Sequence, residues 1–169
     1  KQDEEALRDS EEQYRSLFEN SVMGVSQALP DGSLIRVNTA YAQMYGYSSP
    51  KEMKAAVHDV GRQLYANPQD REEVLRILAA NGIMEPREMT VVRRDGSRFF
   101  VLVSAREIRN SEGNLVCYQA EHVDITDRKH AEQQIRQLNS DLENRVEERT
   151  RQLHDAQEAL IRQEKLAVL

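Results

Sequence analysis

Arg98-Phe99-Phe100-Val101-Leu102-Val103-Ser104-Ala105-Arg106-Glu107-Ile108-Arg109 is the stretch from which the fold can be read. Its β-branched and aromatic residues favour an extended chain. Alternation places Phe99, Val101, Val103 and Ala105 on one face and Phe100 and Leu102 on the other, so both faces need cover. Two further strand-patterned runs flank it, Glu85 to Arg93 and Leu115 to Val123, joined through Asp95-Gly96 and Asn110-Ser111-Glu112-Gly113-Asn114. Both links carry tight-turn chemistry, which predicts an antiparallel meander.

Upstream, Met23 to Leu29 and Leu34 to Asn38 flank Pro30-Asp31-Gly32-Ser33. Proline presets one dihedral of such a turn and glycine accepts a positive one, so this is a β-hairpin. Between Thr39 and Gly82 the pattern changes to short helices punctuated by Gly46, Pro50, Gly61, Pro68 and Gly82. Gln69 to Ala80 is the clearest of them, with Val74, Leu75 and Leu78 on one face. Two strands, a helical cluster and three strands predict an α+β fold: a five-stranded antiparallel sheet with short helices on one face.

Lys1 to Asn20 reads as an N-terminal amphipathic helix, its stripe made of Leu7, Tyr14, Leu17 and Phe18, with Ser10 and Gln13 as a second helix start. It is the one remaining element able to lie over Phe100 and Leu102, and it is predicted to do so. After Asp124-Ile125-Thr126 the strand pattern gives way to an unbroken amphipathic helix. The expected division is therefore 1–20, 21–126 and 127–169. Asp124 and Thr126 both have oxygens able to accept from the first free amides of that helix.

The apolar series of the last helix is Ile135, Leu138, Leu142, Val146, Leu153, Ala156 and Leu160, interrupted by Arg149. Its steps include an extra four-residue step between Leu142 and Val146, a stutter that locally unwinds a left-handed coiled coil. Two readings fit: a locally weakened seam, or a register balanced between two signalling states. A helix on the order of 65 Å long would leave this seam in water as a monomer, which predicts a parallel homodimer. Glu132 with Arg136 and Glu158 with Arg162 have the favourable acid-first spacing of a solvated helix face.

Charged residues make up 31% of the 169, hydrophobic residues 39%, and the net charge is -6 with the two signs interleaved. That argues against a surface tracking nucleic-acid phosphates. The single cysteine, Cys117, excludes an intramolecular disulfide and fits a reducing compartment. No run approaches the roughly 20 apolar residues of a membrane span, and Lys1-Gln2-Asp3-Glu4-Glu5 is too charged for a signal peptide. The expectation is a cytoplasmic piece of a longer protein, without membrane contact of its own.

An ordered set of motifs then acquires meaning: Ser10-Glu11-Glu12-Gln13-Tyr14-Arg15-Ser16-Leu17-Phe18-Glu19-Asn20, Pro30-Asp31-Gly32, Val37-Asn38-Thr39-Ala40, Gly46-Tyr47-Ser48, Arg93-Arg94-Asp95-Gly96-Ser97 and Asp124-Ile125-Thr126-Asp127-Arg128-Lys129. Together they resemble a PAS domain of the bacterial sensory kind, over about Ser10 to Arg128. The resemblance implies a ligand-sized cavity between sheet and helices, and a role as sensor, dimerisation module or both. It also implies that Asp124 pairs with a basic residue of the sheet, for which Arg94, Arg98 and Arg106 are the candidates.

The tail carries a second resemblance. Leu138-Asn139-Ser140-Asp141-Leu142-Glu143-Asn144-Arg145-Val146-Glu147-Glu148-Arg149-Thr150 looks like the linker before the phosphoacceptor domain of sensor histidine kinases, and Gln163-Glu164-Lys165-Leu166-Ala167-Val168-Leu169 like the opening of that domain. His154-Asp155 lacks the proline that follows the family's phosphorylated histidine. A response regulator would therefore be met only through a kinase domain beyond this stretch. Asp124, Thr126, Leu142, Val146 and Arg149 are the candidate signal relay.

On the last strand Val116, Tyr118, Ala120 and His122 share the more apolar face, while Cys117, Gln119 and Glu121 share the outward one. His122 reads first as a hydrogen-bonded core histidine, with Tyr118 as a partner, then as a ligand contact or pH switch, and last as a metal or haem ligand. The candidate cavity wall is Met44, Tyr45, Leu78, Phe99, Val101, Val103, Tyr118 and His122, which a small-molecule ligand would contact. The cofactor is left unassigned. Haem-binding members resembling this family place a histidine on the long helix, and Gln69 to Ala80 has none; flavin-binding members carry an Asn-Cys-Arg motif that is missing.

No nucleophile and base pair, phosphate-cradling glycine loop or metal-ligand cluster is visible, so the segment is not expected to be an enzyme, although the full-length protein is expected to be a histidine kinase. A ligand-free dimerisation adaptor, or the same front end on a cyclic-dinucleotide synthase, are the alternatives.

Overall fold

Three hairpins in the computed structural model, which describes residues 2–168, close through one shared device. Strands β1 (Gly24–Ala28) and β2 (Leu34–Val37) join across Leu29-Pro30-Asp31-Gly32-Ser33; β3 (Ile83–Val92) and β4 (Arg98–Arg109) across Arg93 to Ser97; β4 and β5 (Leu115–Asp124) across Asn110 to Asn114. In each, the first residue's carbonyl accepts from the glycine N–H and its own N–H donates to the fifth residue's carbonyl. Asp31, Asp95 and Asn110 add a side-chain oxygen that accepts from the fifth residue's N–H at 2.9, 2.8 and 2.9 Å. Gly32 meets two demands at once: its φ is +91°, and a Cβ there would lie 2.6 Å from Asp59 Oδ1.

The sheet order is β2-β1-β5-β4-β3, antiparallel throughout. β5 thus runs down the centre, with His122 opposite Gly24 on one side and Val103 on the other. Between β2 and β3 lie four short helices: α2 (Thr39–Met44), α3 (Pro50–Ala56), α4 (Val60–Gln63) and α5 (Pro68–Asn81). Asn38, Ser49, Asp59 and Asn67 cap them by accepting from Tyr41, Glu52, Gly61 and Gln69 amides respectively. They cover the face carrying Phe99, Val101, Val103 and Ala105, and Tyr45, Met53, Val74 and Leu78 fill the space between. Full burial of side chains this size contributes about 1.5–3 kcal/mol each. This is the α+β architecture that the resemblance implies.

The N-terminal helix α1 (Gln2–Glu19) runs through Ser10 without a break, and it does not lie where it was expected. Asn38 Nδ2 donates to the Phe18 carbonyl at 2.9 Å, and the Arg36 guanidinium sits 4.8 Å from the Phe18 ring and 5.2 Å from that of Tyr14. These contacts anchor its end at β1 and β2, with β5 between them and β4, so Phe100 and Leu102 stay half-buried and Leu7 and Leu17 exposed. Lys1 and Leu169, the outer ends of the expected segments 1–20 and 127–169, lie outside the described residues.

β5 brings a second correction. Val116, expected inside, is exposed, because the pairing with β4 jumps from Ile108–Cys117 to Arg109–Leu115 and leaves Val116 as the bulged residue. Cys117 and Gln119, expected on an outward face, are buried; Gln119 Oε1 accepts from Gln27 Nε2 at 3.1 Å.

The chain divides into two units, the first ending at Thr126 and the second beginning at Asp127. The second is the body of helix α6 (Thr126–Ala167), 42 residues none of which is buried. Glu132 pairs with Arg128 at 3.5 Å rather than with Arg136, and Glu158 with Arg162 at 3.9 Å as its spacing predicts. Among the described residues no helix is long and apolar enough to cross a membrane.

Candidate functional site

Strand β5 and the end of α2 bring three polar rings together inside the domain. Tyr45 Oη and His122 Nδ1 are hydrogen-bonded at 2.9 Å. The Tyr41 ring meets His122 edge-on at 5.0 Å and lies 4.8 Å from Tyr45, which in turn meets Phe99 edge-on at 5.2 Å. Tyr41 and Tyr45 are four residues apart and so share a helix face. The histidine partner is therefore Tyr45, and not Tyr118 as the strand pattern suggested.

Burial sets the charge of this cluster. It pushes the His122 pKa down to about 3, because an imidazolium there would lose its water. It pushes Tyr41 up to about 12, partly offset by the Ser26 hydroxyl, and holds Tyr45 well above the usual phenol range. All three are neutral near pH 7, so His122 is no switch in the physiological range.

Beside them is a cavity of about 30 Å³ between the sheet and α5. Of the expected wall, Tyr45, Leu78, Val103, Tyr118 and His122 line it; Phe99 and Val101 are buried in the adjoining core, and Met44 is half-buried outside it. The volume is that of one or two water molecules, well short of the ~300–1,000 Å³ of drug-sized pockets. The expectation of a ligand-sized space is thus corrected. Tyr41, Tyr65 and Arg71 bring their side chains to the same lining, and the sequence reading missed all three. They sit on α2, after α4 and in the first turn of α5, in a stretch too broken by glycine and proline for periodicity to orient a side chain.

The last strand continues into a second group of contacts. Asp124 Oδ2 accepts from Arg93 Nη2 at 3.0 Å, and its Oδ1 accepts from the Thr126 N–H at 2.9 Å. Arg93 also donates from Nε to the Met44 carbonyl at 3.1 Å and lays its guanidinium 3.9 Å from the Phe99 ring centroid. The partner of Asp124 is thus none of Arg94, Arg98 and Arg106. Arg94 is drawn to Glu52 of α3, while Arg98 and Arg106 point to solvent. Arg93 wins because the turn after β3 sets it beside Phe99, whose face guides it toward the end of β5.

Thr126 does a different job from the one expected. The first residue of α6, it accepts through its hydroxyl from the Phe100 N–H of β4 at 3.1 Å, leaving the cap to Asp124, while the Ile125 N–H donates to the Phe100 carbonyl at 2.9 Å. Leu142, Val146 and Arg149 lie along α6 with exposed side chains.

A family model described as the PAS domain matches residues 21–127. Among solved structures, the chain is similar to the PAS domain of a protein from Colwellia psychrerythraea, with 19% identity and a TM-score of 0.59, covering 69% of this chain and 97% of that one. A domain of a sensory box sensor histidine kinase/response regulator from Geobacter sulfurreducens is 24% identical with a TM-score of 0.55, covering 70% and 96%. A sensory box histidine kinase/response regulator from Burkholderia thailandensis is 20% identical with a TM-score of 0.55, covering 78% and 98%. At these identities the likeness establishes the fold.

Proposed function

Because the chain belongs to the PAS domain family, we propose that it is the sensory and dimerisation module of a cytoplasmic sensor histidine kinase, relaying a rearrangement of its core through a parallel coiled coil to a downstream kinase domain. One observation carries the reading: the Asp124 carboxylate holds Arg93 with one oxygen and the first amide of α6 with the other. Arg93 in turn touches the Met44 carbonyl and the Phe99 ring, and Phe99 meets Tyr45, the partner of His122. A shift of Tyr45 or Phe99 would thus be felt at the helix start through contacts each within van der Waals or hydrogen-bond range. The module performs no chemistry itself, and a response regulator is met only by the kinase domain. The linker-like sequence from Leu138 to Thr150, and the kinases among the proteins of similar fold, support this output.

The test is phosphorylation in the full-length protein. Inserting one residue between Leu142 and Val146 should disturb the phosphorylation level far more than Glu147→Ala, an exposed substitution of the same helix. Equal levels in the two variants would rule out helical register as the signal carrier.

A second reading, a ligand-free dimerisation adaptor, is favoured by the cavity of about 30 Å³. Native mass spectrometry of the purified protein separates the two. A dimer with extra bound mass supports the sensor; a dimer of bare chains supports the adaptor.

A further inference from the structure

Arg71 is the one cation among the side chains lining the interior cavity, and its position is unusual. Its Nη2 atom is buried and donates to no atom among the described residues. The guanidinium lies 5.9 Å from the Tyr65 ring centroid and 5.7 Å from that of Tyr118. Such ring contacts use the face of the guanidinium; the Tyr65 hydroxyl takes one of its in-plane N–H groups, and Nη2 is left without an acceptor. Nearby acids are engaged elsewhere, Asp59 with Arg62 at 3.4 Å and Glu73 with Arg87 at 2.7 Å, while Asp70, whose charge is felt at Tyr65, accepts from Asn67 Nδ2 at 3.5 Å. The rest of the polar lining is neutral, with hydroxyls of Ser26, Tyr41, Tyr45 and Tyr65 beside His122. A half-buried cation whose Nη2 donor is buried without an acceptor, in a lining that supplies no negative charge, is stabilised by an anion, and the neighbouring hydroxyls can turn from one another to donate to the same guest.

We infer that this cavity is a binding site for a small monoanion, of the size of chloride or formate, held by Arg71 Nη2 and the surrounding hydroxyls. The volume of about 30 Å³ sets the upper limit on size, since it accommodates a guest of one to three heavy atoms and excludes sugars, nucleotides and flavins. The inference deepens the sensory reading and rests on it only for its consequence: an anion entering beside Tyr45 and His122 would act on the first members of the relay.

The test uses the full chain with ¹³C-labelled tyrosine. Sodium chloride and sodium formate are titrated separately against sodium gluconate, a monoanion too large for the cavity, at matched ionic strength. The expected result is a saturable change in the Tyr65 and Tyr118 ring shifts with chloride or formate and none with gluconate, and an apparent affinity at least ten-fold weaker in Arg71→Met. The arm that saturates at lower concentration identifies a spherical halide or a planar carboxylate as the better guest. No saturable change in either arm, or an undiminished one in Arg71→Met, overturns the site. Should Arg71→Met fail to fold, wild-type crystals grown in bromide decide: an anomalous peak within hydrogen-bond distance of Nη2 supports the site, and water alone there refutes it. Phosphorylation of the full-length kinase then separates the two ideas. Anion binding without any change in output would retain the site and remove the sensor, whereas an altered output in Asp124→Ala without anion binding would retain the relay and remove the site.

Discussion

Desolvation holds His122 neutral down to about pH 3, whereas the same imidazole in the unfolded chain takes up a proton near pH 6.5. The folded pKa is the lower of the two, so the unfolded state binds the extra proton over that window. The stability associated with His122 is therefore fully present above about pH 6.5 and is lost as the pH falls toward 3, at up to about 1.4 kcal/mol per pH unit. Between pH 7 and pH 5 this amounts to about 2 kcal/mol. Urea unfolding at the two pH values should show the wild type losing about 2 kcal/mol more than His122→Gln; equal losses would mean that the ring is reached by water. That His122 faces inward was legible from alternation along β5, since a period of two leaves little choice once the apolar face is known. Its partner Tyr45 was not, because nothing in a sequence says which helix residue lies over which strand residue. Arg93 was missed for a related reason: an arginine side chain is long enough to cross a neighbouring strand, so several candidates are equally near on paper, and a ring face decided among them.

At the scale of an element, the start of α6 combines a cap with an ion pair, and the two can be separated. Asparagine caps a helix about as well as aspartate but carries no charge, so Asp124→Asn keeps the acceptor for the Thr126 N–H and loses the attraction to Arg93. The Arg93 and Asp124 side chains are 29% and 34% exposed, and solvent screening limits such a pair to about 1 kcal/mol or less. Asp124→Ala loses the cap as well, for a total of about 1–2 kcal/mol. Chemical denaturation of both variants should rank them in that order, and an Asp124→Asn variant as damaged as Asp124→Ala would make the ion pair, not the cap, the essential contact. The hairpins, by contrast, were fully legible, because each turn carries its geometry in local residues: an Asp or Asn oxygen to accept an amide and a glycine to take the positive φ. The path of α1 was not. Its exposed stripe offered no unique destination, and its place is fixed by Asn38, a fully buried side chain that accepts from the Val25 and Tyr41 amides and donates to the Phe18 and Met23 carbonyls.

For the molecule as a whole the open term is the apolar series of α6, where Ile135, Leu138, Leu142, Val146, Leu153 and Leu160 are each more than half exposed in the single chain. A run of large aliphatic side chains at three- and four-residue spacing is the pattern that two parallel helices bury against each other, and the proposed homodimer would remove it from water. Within that series Arg149 occupies a position that the spacing assigns to the seam, three residues after Val146 and four before Leu153. In the proposed dimer a charge there would weaken the seam, and a weak point next to a stutter would let neither register dominate. Arg149→Leu should therefore tighten the dimer at least ten-fold in sedimentation equilibrium, the equivalent of about 1.4 kcal/mol, while Glu147→Leu, off the seam, should leave it unchanged. The same Arg149→Leu substitution in the full-length protein should fix phosphorylation at one level whatever anion is present, because a continuous apolar seam no longer tolerates the second register. If Arg149→Leu leaves the dimer no tighter than wild type, Arg149 lies off the interface, and the stutter is a local defect with no part in setting the output.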